Sequence, residues 1–72
     1  MESSVYKFIE LVGTSSESWE KAAAAAVETA AKTLRNLRIA EVKEMDGRIE
    51  NGRISLYRTK VKISFKVEPD NR

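Results

Sequence analysis

An Asn-Gly dipeptide between two long strand-like segments constrains this chain more than any other feature. Asn51 and Gly52 separate residues 37–50 from residues 53–68; both segments contain β-branched and other apolar residues, and the second also contains Tyr57 and Phe65. Both central residues of a tight two-residue hairpin turn need positive φ angles, which Asn and Gly adopt most readily. The sequence therefore predicts a long antiparallel hairpin.

The register of this hairpin sorts its side chains onto two faces. A two-residue turn pairs Ile49 with Ile54, and strict alternation then divides the last strand. One face carries Tyr57, Thr59, Val61, Ile63, Phe65 and Val67, and the other carries Arg58, Lys60, Lys62, Ser64 and Lys66. Ala40 and Val42 join the apolar face, whereas Ile39, Glu41, Lys43 and Met45 join the charged face. A bulge at residues 46–47 would shift this register.

A strand and the start of a helix precede the hairpin. Residues 5–12 are crowded with apolar side chains of both parities, which predicts a strand covered on both faces and ended by Gly13. Thr14 and Glu17 have the spacing of a capping box, although either of the two serines between them could also cap the helix.

The helix itself is predicted from apolar residues at helical spacing. These residues are Trp19, Ala23, Ala26, Val27, Ala30, Leu34 and Leu37, and Asn36 is the expected stop. The predicted fold is α+β in the order β-α-β-β, with one helix packed on a three-stranded antiparallel sheet. Residues 1–72 form a single domain in this interpretation, with residues 1–4 and 69–72 flexible.

The small size of the chain and two missing residue types limit its function. The 72 residues include no Cys and no His, which excludes disulfides, thiolate or imidazole metal ligands and His-dependent catalytic triads. A single core in a chain below about 70–80 residues seldom supplies more than about 3–5 kcal/mol. Self-assembly and cation binding through carboxylates remain as sources of stability. We therefore expect a homo-oligomer that is not an enzyme.

Charge and hydropathy say less about partners. The net charge is only +2, and residues 22–27 form the longest apolar run, which is far too short to cross a bilayer. No signal peptide is evident at the start of the chain, so a cytoplasmic location without a membrane partner is expected. The basic residues of the last strand form a stripe, but no aromatic residues are expected beside them. A nucleic-acid partner is accordingly not expected.

The order and content of these segments resemble the dodecin family. The resemblance is carried by Leu11-Val12-Gly13-Thr14-Ser15, by the Ala-rich helix, by Ala40-Glu41-Val42-Lys43-Glu44 and by Val61-Lys62-Ile63-Ser64-Phe65-Lys66. It covers roughly residues 5–68. It implies a hollow homododecamer that stores or sequesters small ligands, which in many members are flavins, without catalysing their turnover.

The resemblance also implies where a flavin would bind. Ile39 stands at the position of the flavin-stacking Trp, and Arg58 replaces a Gln that hydrogen-bonds the flavin. Asp46, just before Gly47, replaces an Arg of FMN-binding members and would repel a phosphate. These differences, together with residues 18–20, favour the calcium-dodecin-like branch, which lacks the stacking residues. Storage of FMN or riboflavin is the alternative, as is a purely structural or nucleic-acid-associated oligomer.

Two groups of residues are candidate binding sites on the long hairpin. Ile39, Met45 and Arg58 are candidates for ligand binding, although an inter-subunit contact would also explain Ile39 and Met45. Glu44 and Asp46 share strand parity and carry the hard oxygen ligands that Ca²⁺ prefers. One subunit offers too few oxygens, so symmetry-related copies would have to complete the shell. Trp19 is expected to pack in the core or an interface.

Overall fold

The computed structural model describes residues 3–67, which form one helix and one three-stranded antiparallel sheet. The elements run in the order β1 (Val5–Ser15), α1 (Trp19–Ala31), β2 (Leu37–Glu50) and β3 (Arg53–Val67). Strand β3 lies in the centre, between β1 and β2. The predicted β-α-β-β fold is confirmed. Most of the predicted flexible ends, residues 1–2 and 69–72, lie outside the described residues.

The hairpin between β2 and β3 turns where the sequence predicts. Asn51 and Gly52 have φ angles of 55° and 75°, and Ile49 pairs with Ile54. Register shifts lie between Leu37 and Ile39, between Val42 and Glu44, and between Arg48 and Ile49. The bulge considered at residues 46–47 is not present, because Gly47 pairs with Tyr57 inside a regular stretch of the ladder.

The shift between Val42 and Glu44 decides which residues of β2 share a face. It inserts Lys43 as an extra residue, and an extra residue moves the following side chains to the opposite face. Met45 consequently lies opposite Thr59, on the face that carries the helix. The prediction that Met45 shares the charged face with Ile39 is wrong for this reason.

Helix α1 begins four residues later than the predicted capping box. Ser18 is the N-cap, and its hydroxyl accepts a hydrogen bond from the Lys21 backbone N–H at 3.0 Å. Strand β1 continues through Gly13 instead of ending there. A Cβ at Gly13 would lie 1.9 Å from the carbonyl oxygen of Ala22, so the glycine permits close helix–sheet packing.

The helix also ends earlier than predicted. Lys32 is the C-cap, and Asn36, the predicted stop, instead takes a φ of 61° immediately before β2. No helix among residues 3–67 is long and apolar enough to cross a membrane.

The buried core is small and consists mainly of short side chains. Its buried hydrophobic members are Ala22, Ala26, Ala30, Val61 and Ile63. Ala22 is not in the predicted apolar row, which includes Trp19, Ala23 and Val27. The helix residues that are buried, Ala22, Ala26 and Ala30, form a neighbouring row. Large apolar side chains remain exposed in the single chain: Val5, Tyr6, Phe8, Val12, Ile39, Val42, Met45, Ile49 and Ile54.

Candidate functional site

The sheet surface opposite the helix carries most of the charged strand residues, and we call it the open face. Residues directly opposite each other in an antiparallel ladder point to the same face. The open face therefore comprises Tyr6, Phe8, Glu10, Val12 and Thr14 of β1, Ile39, Glu41, Glu44, Asp46 and Arg48 of β2, and Leu56, Arg58, Lys60, Lys62, Ser64 and Lys66 of β3.

Acidic residues of β2 line up with basic residues of β3 across this face. Asp46 pairs with Arg58 and Glu44 pairs with Lys60 in the strand register. Glu41 lies opposite Lys62 in the same way. Without the extra residue after Val42, Glu41 and Glu44 could not occupy one face, because their sequence separation is odd. The bulge therefore places three carboxylates along one side of β2.

Asp46 and Arg58 form the best-defined ion pair on the open face. Arg58 Nε donates to Oδ1 of Asp46 at 2.7 Å, and Nη2 donates to Oδ2 at 2.8 Å. These hydrogen bonds hold the pKa of Asp46 below its ordinary value and raise that of Arg58. The side chains are about half exposed, 52% for Arg58 and 54% for Asp46, so the pair fixes geometry more than it stabilises the fold.

The remaining carboxylates of β2 are held more loosely. Glu44 reaches Lys60 at 3.8 Å and keeps 71% of its side-chain surface exposed. Glu41 approaches its strand neighbour Lys43 at 3.7 Å. Glu44 is therefore the carboxylate of this row that is freest to meet a further cation.

Trp19 connects the first turn of the helix to both hairpin strands. Its indole Nε1 donates to the carbonyl oxygen of Asp46 at 2.9 Å, and its carbonyl accepts from the Thr59 hydroxyl at 3.0 Å. Its ring meets Tyr57 edge-on, with centroids 4.8 Å apart. Trp19 is half-buried and packs against Tyr57, but it lies outside the buried core, so the expectation of core packing is wrong and that of an interface stays a prediction. Met45 lines a 440 Å³ groove beside this ring, on the helix side of the sheet.

The predicted ligand-binding residues do not come together within one chain. Ile39 lies opposite Ser64, six residues from Arg58 along β3, which places the two about 20 Å apart on the open face. Met45 is on the other face. Glu44 and Asp46 share one face, as their even spacing predicts, and the bulge at Lys43 places them on the open face and not on the side of Ala40 and Val42. Among residues 3–67, no group of three His, Cys, Asp or Glu side chains is arranged to hold a metal ion.

The sequence interpretation missed the aromatic residues of the open face. Phe8 lies opposite Ser64, and the Lys62 ammonium sits 3.8 Å from the centroid of its ring. Tyr6 lies beside Lys66 on the same face. The expectation that no aromatic ring accompanies the basic stripe is therefore wrong. The central position of β3 would have revealed these neighbours, but the strand order was not predicted.

The Dodecin family model matches residues 5–68. The chain belongs to the dodecin family. It is 44% identical to calcium dodecin from Mycobacterium tuberculosis over 66 aligned residues, and the alignment covers 92% of this chain and 93% of that one. It is 45% identical to dodecin from Thermus thermophilus over 64 aligned residues, and this alignment covers 89% of this chain and 93% of that one.

Solved dodecin structures share the fold closely. Dodecin from Streptomyces coelicolor superposes with a TM-score of 0.90 at 34% identity, covering 97% of this chain and all of that one. Calcium dodecin from M. tuberculosis superposes with a TM-score of 0.78 at 43% identity, covering 94% and 97%. That protein is described as calcium-chelating, with a novel calcium-binding site.

Proposed function

We propose that this dodecin assembles into a homododecamer that sequesters a hard cation such as Ca²⁺ and does not act as an enzyme. The observation that supports assembly is the contrast between core and surface. The buried hydrophobic core holds three alanines with Val61 and Ile63, whereas large apolar residues on both sheet faces stay exposed. Exposed apolar surface of this kind is typical of interaction sites. Neighbouring subunits would bury it and supply stability that the single core lacks.

The row of β2 carboxylates supports a cation as the ligand. Strand β2 lies at the edge of the sheet, so Glu44 and Asp46 lie on the open face beside an edge that another subunit can approach. Each Asp46 oxygen accepts one Arg58 N–H and retains a further lone pair. Ca²⁺ takes six to eight oxygen ligands, so several copies of this row would have to converge. The similarity to a protein named calcium dodecin agrees with this choice.

Flavin binding is the second candidate, and one observation favours it. Phe8, Ser64 and Ile39 form a single row across the three strands of the open face. The small Ser64 separates the Phe8 and Ile39 backbones by about 10 Å, which is two strand spacings. A planar ring could lie over Ser64 against Phe8. Because Ile39 is aliphatic, only Phe8 offers an aromatic ring for stacking, and we therefore expect weak binding of riboflavin or FMN.

The cation proposal is tested by thermal unfolding of the assembled protein with and without millimolar Ca²⁺. A ligand that binds only the native assembly raises its melting temperature by mass action. We expect Ca²⁺ to raise the melting temperature of the wild type and Glu44→Gln to lose most of that rise. Glu28→Gln is the matched control, because Glu28 is an exposed carboxylate on the helix, behind the sheet. If Ca²⁺ shifts none of the three proteins, the cation role is wrong.

A further inference from the structure

A cleft beside Asp46 contains arginine side chains, which can bind anions. It has a volume of 330 Å³ and is lined by Asp46, Gly47, Arg48, Leu56 and Arg58. The lining of the cleft thus includes two arginines. A guanidinium presents a planar fork of N–H donors that matches the oxygens of a phosphate or a carboxylate. By itself, this pair of arginines would favour a phosphate-bearing ligand.

Asp46 already occupies the fork of Arg58. It accepts from both Nε and Nη2, so a phosphate could use those donors only by displacing a bidentate carboxylate. Glu50 holds Arg48 by a single contact at 3.5 Å, and Glu44 holds Lys60 at 3.8 Å. Among the ion pairs described for this region, only Asp46 accepts hydrogen bonds from two nitrogens of one guanidinium, Nε and Nη2 of Arg58.

Asp46 is also fixed from the helix side of the sheet. Its carbonyl oxygen accepts the Trp19 Nε1–H at 2.9 Å, while its side chain points to the open face. The ladder around it is regular from Glu44 to Arg48. The backbone that presents the carboxylate to Arg58 is therefore held independently of the ion pair.

We propose that Asp46 is a specificity-determining residue that locks Arg58 and thereby excludes phosphate-bearing ligands from this cleft. The inference deepens the proposed function, because it explains why the open face would hold cations in preference to phosphorylated cofactors. It rests on that function only in taking the open face as the ligand-binding surface. The contribution of Asp46 to selectivity is separate from any part it takes in cation coordination.

The test is calorimetric titration of inorganic pyrophosphate into calcium-free protein at low ionic strength. Asp46→Asn keeps the side-chain volume but removes the charge that holds the fork. We expect at least tenfold tighter pyrophosphate binding by Asp46→Asn than by the wild type. Adding Arg58→Gln to that variant should abolish the gain. Because no Ca²⁺ is present, failure of the cation proposal would leave this result unchanged.

Two matched controls separate the lock from net charge. Glu41→Gln and Glu10→Gln each remove one negative charge from the open face without touching the Asp46–Arg58 pair or Arg48. They should bind pyrophosphate as weakly as the wild type. The proposal is overturned if these controls gain as much affinity as Asp46→Asn, or if Asp46→Asn gains none.

A measurement on the wild type keeps the proposal testable even if Asp46→Asn does not assemble. FMN and riboflavin differ by one phosphate, so their affinity ratio reports whether the protein recognises that group. With Arg58 locked, FMN should bind no better than riboflavin in a fluorescence-quenching titration. A tenfold preference of the wild type for FMN would show that the cleft accepts phosphate despite Asp46.

Discussion

Trp19 donates its indole N–H to the main-chain carbonyl of Asp46, 27 residues further along the chain, at 2.9 Å. The contact joins the first residue of α1 to the part of β2 that carries the candidate cation ligands. It acts on the backbone from the helix side, while the carboxylates of Glu44 and Asp46 project to the open face. Packing on one side of the sheet therefore positions the charged groups on the other.

Removing this hydrogen bond together with part of the indole ring should give an upper limit on what the hydrogen bond contributes. Trp19→Phe keeps an aromatic ring against Tyr57 but has no N–H to donate. We expect it to lower the free energy of unfolding by about 0.5–1.5 kcal/mol, the usual range for one hydrogen bond. Denaturant unfolding at fixed protein concentration measures this loss. An unchanged midpoint would mean that the hydrogen bond contributes nothing to stability.

Gly13 should be intolerant of even one added methyl group. The Cβ of Gly13→Ala would lie 1.9 Å from the Ala22 carbonyl oxygen, so the helix would have to move away from β1. We expect the free energy of unfolding to fall by at least about 1–3 kcal/mol, the typical cost of overpacking a core. Gly52→Ala is the comparison, because Gly52 has a φ of 75° but no heavy atom within 4 Å of an added Cβ.

Thermal unfolding of the two glycine variants separates steric clash from backbone strain. Gly52→Ala should cost about 1–2 kcal/mol, the penalty for a left-handed conformation with a Cβ. Gly13→Ala should cost more than Gly52→Ala. The reverse order would show that the helix shifts readily and that close packing at Gly13 is unimportant.

The sequence predicted which helix and strands the chain forms better than it predicted where they begin and end or how the strands pair. The Asn51-Gly52 turn and the alternation of β3 are local signals, and both appear as predicted. The insertion of Lys43 has no comparable local signal, because a bulge depends on how two strands fit together. That single residue moved Met45 to the helix side and brought Glu41 onto the same face as Glu44.

The candidate site was predictable only where it depended on one strand. The shared face of Glu44 and Asp46 follows from their even spacing. The Asp46–Arg58 ion pair depends on a register that the bulges set, and the position of Phe8 depends on β3 being the central strand. These are tertiary relationships, which residue patterns within one segment do not specify.

The Asp46–Arg58 pair should contribute a pH dependence to stability. The pKa of Asp46 is lowered from 3.8 in the native state, mainly by the hydrogen bonds that Arg58 donates. A group with a lowered native pKa stabilises the fold above its unfolded pKa, and that contribution is lost as the pH falls through the native pKa. The difference in melting temperature between wild type and Asp46→Asn should therefore be constant near neutrality and shrink below pH 3.8.

This difference should be small and sensitive to salt, because both side chains are half exposed. Melting curves from neutral pH down to about pH 3, at low and high salt, test it. Asp46→Asn gives the reference, since its amide does not titrate. A difference that grows as the pH falls would contradict the assigned direction of the pKa shift.

Completing the aromatic row of the open face should strengthen flavin binding. Ile39→Trp would place an indole across Ser64 from Phe8, and one aromatic pair is worth about 0.5–1.5 kcal/mol beyond burial. We therefore expect riboflavin affinity to rise about threefold to tenfold in a fluorescence-quenching titration. Val42→Trp is the control, because Val42 is also half exposed but lies on the helix side. Equal gains in both variants would indicate non-specific stacking.

Native mass spectrometry of the purified protein, sprayed with and without added Ca²⁺, tests the central claim most directly. It counts subunits and retained ions in the same spectrum. We predict a particle of twelve chains that retains Ca²⁺ in the wild type and loses most of it in Glu44→Gln. A folded monomer at micromolar concentration, or a dodecamer that retains the same amount of Ca²⁺ in both proteins, would contradict the account.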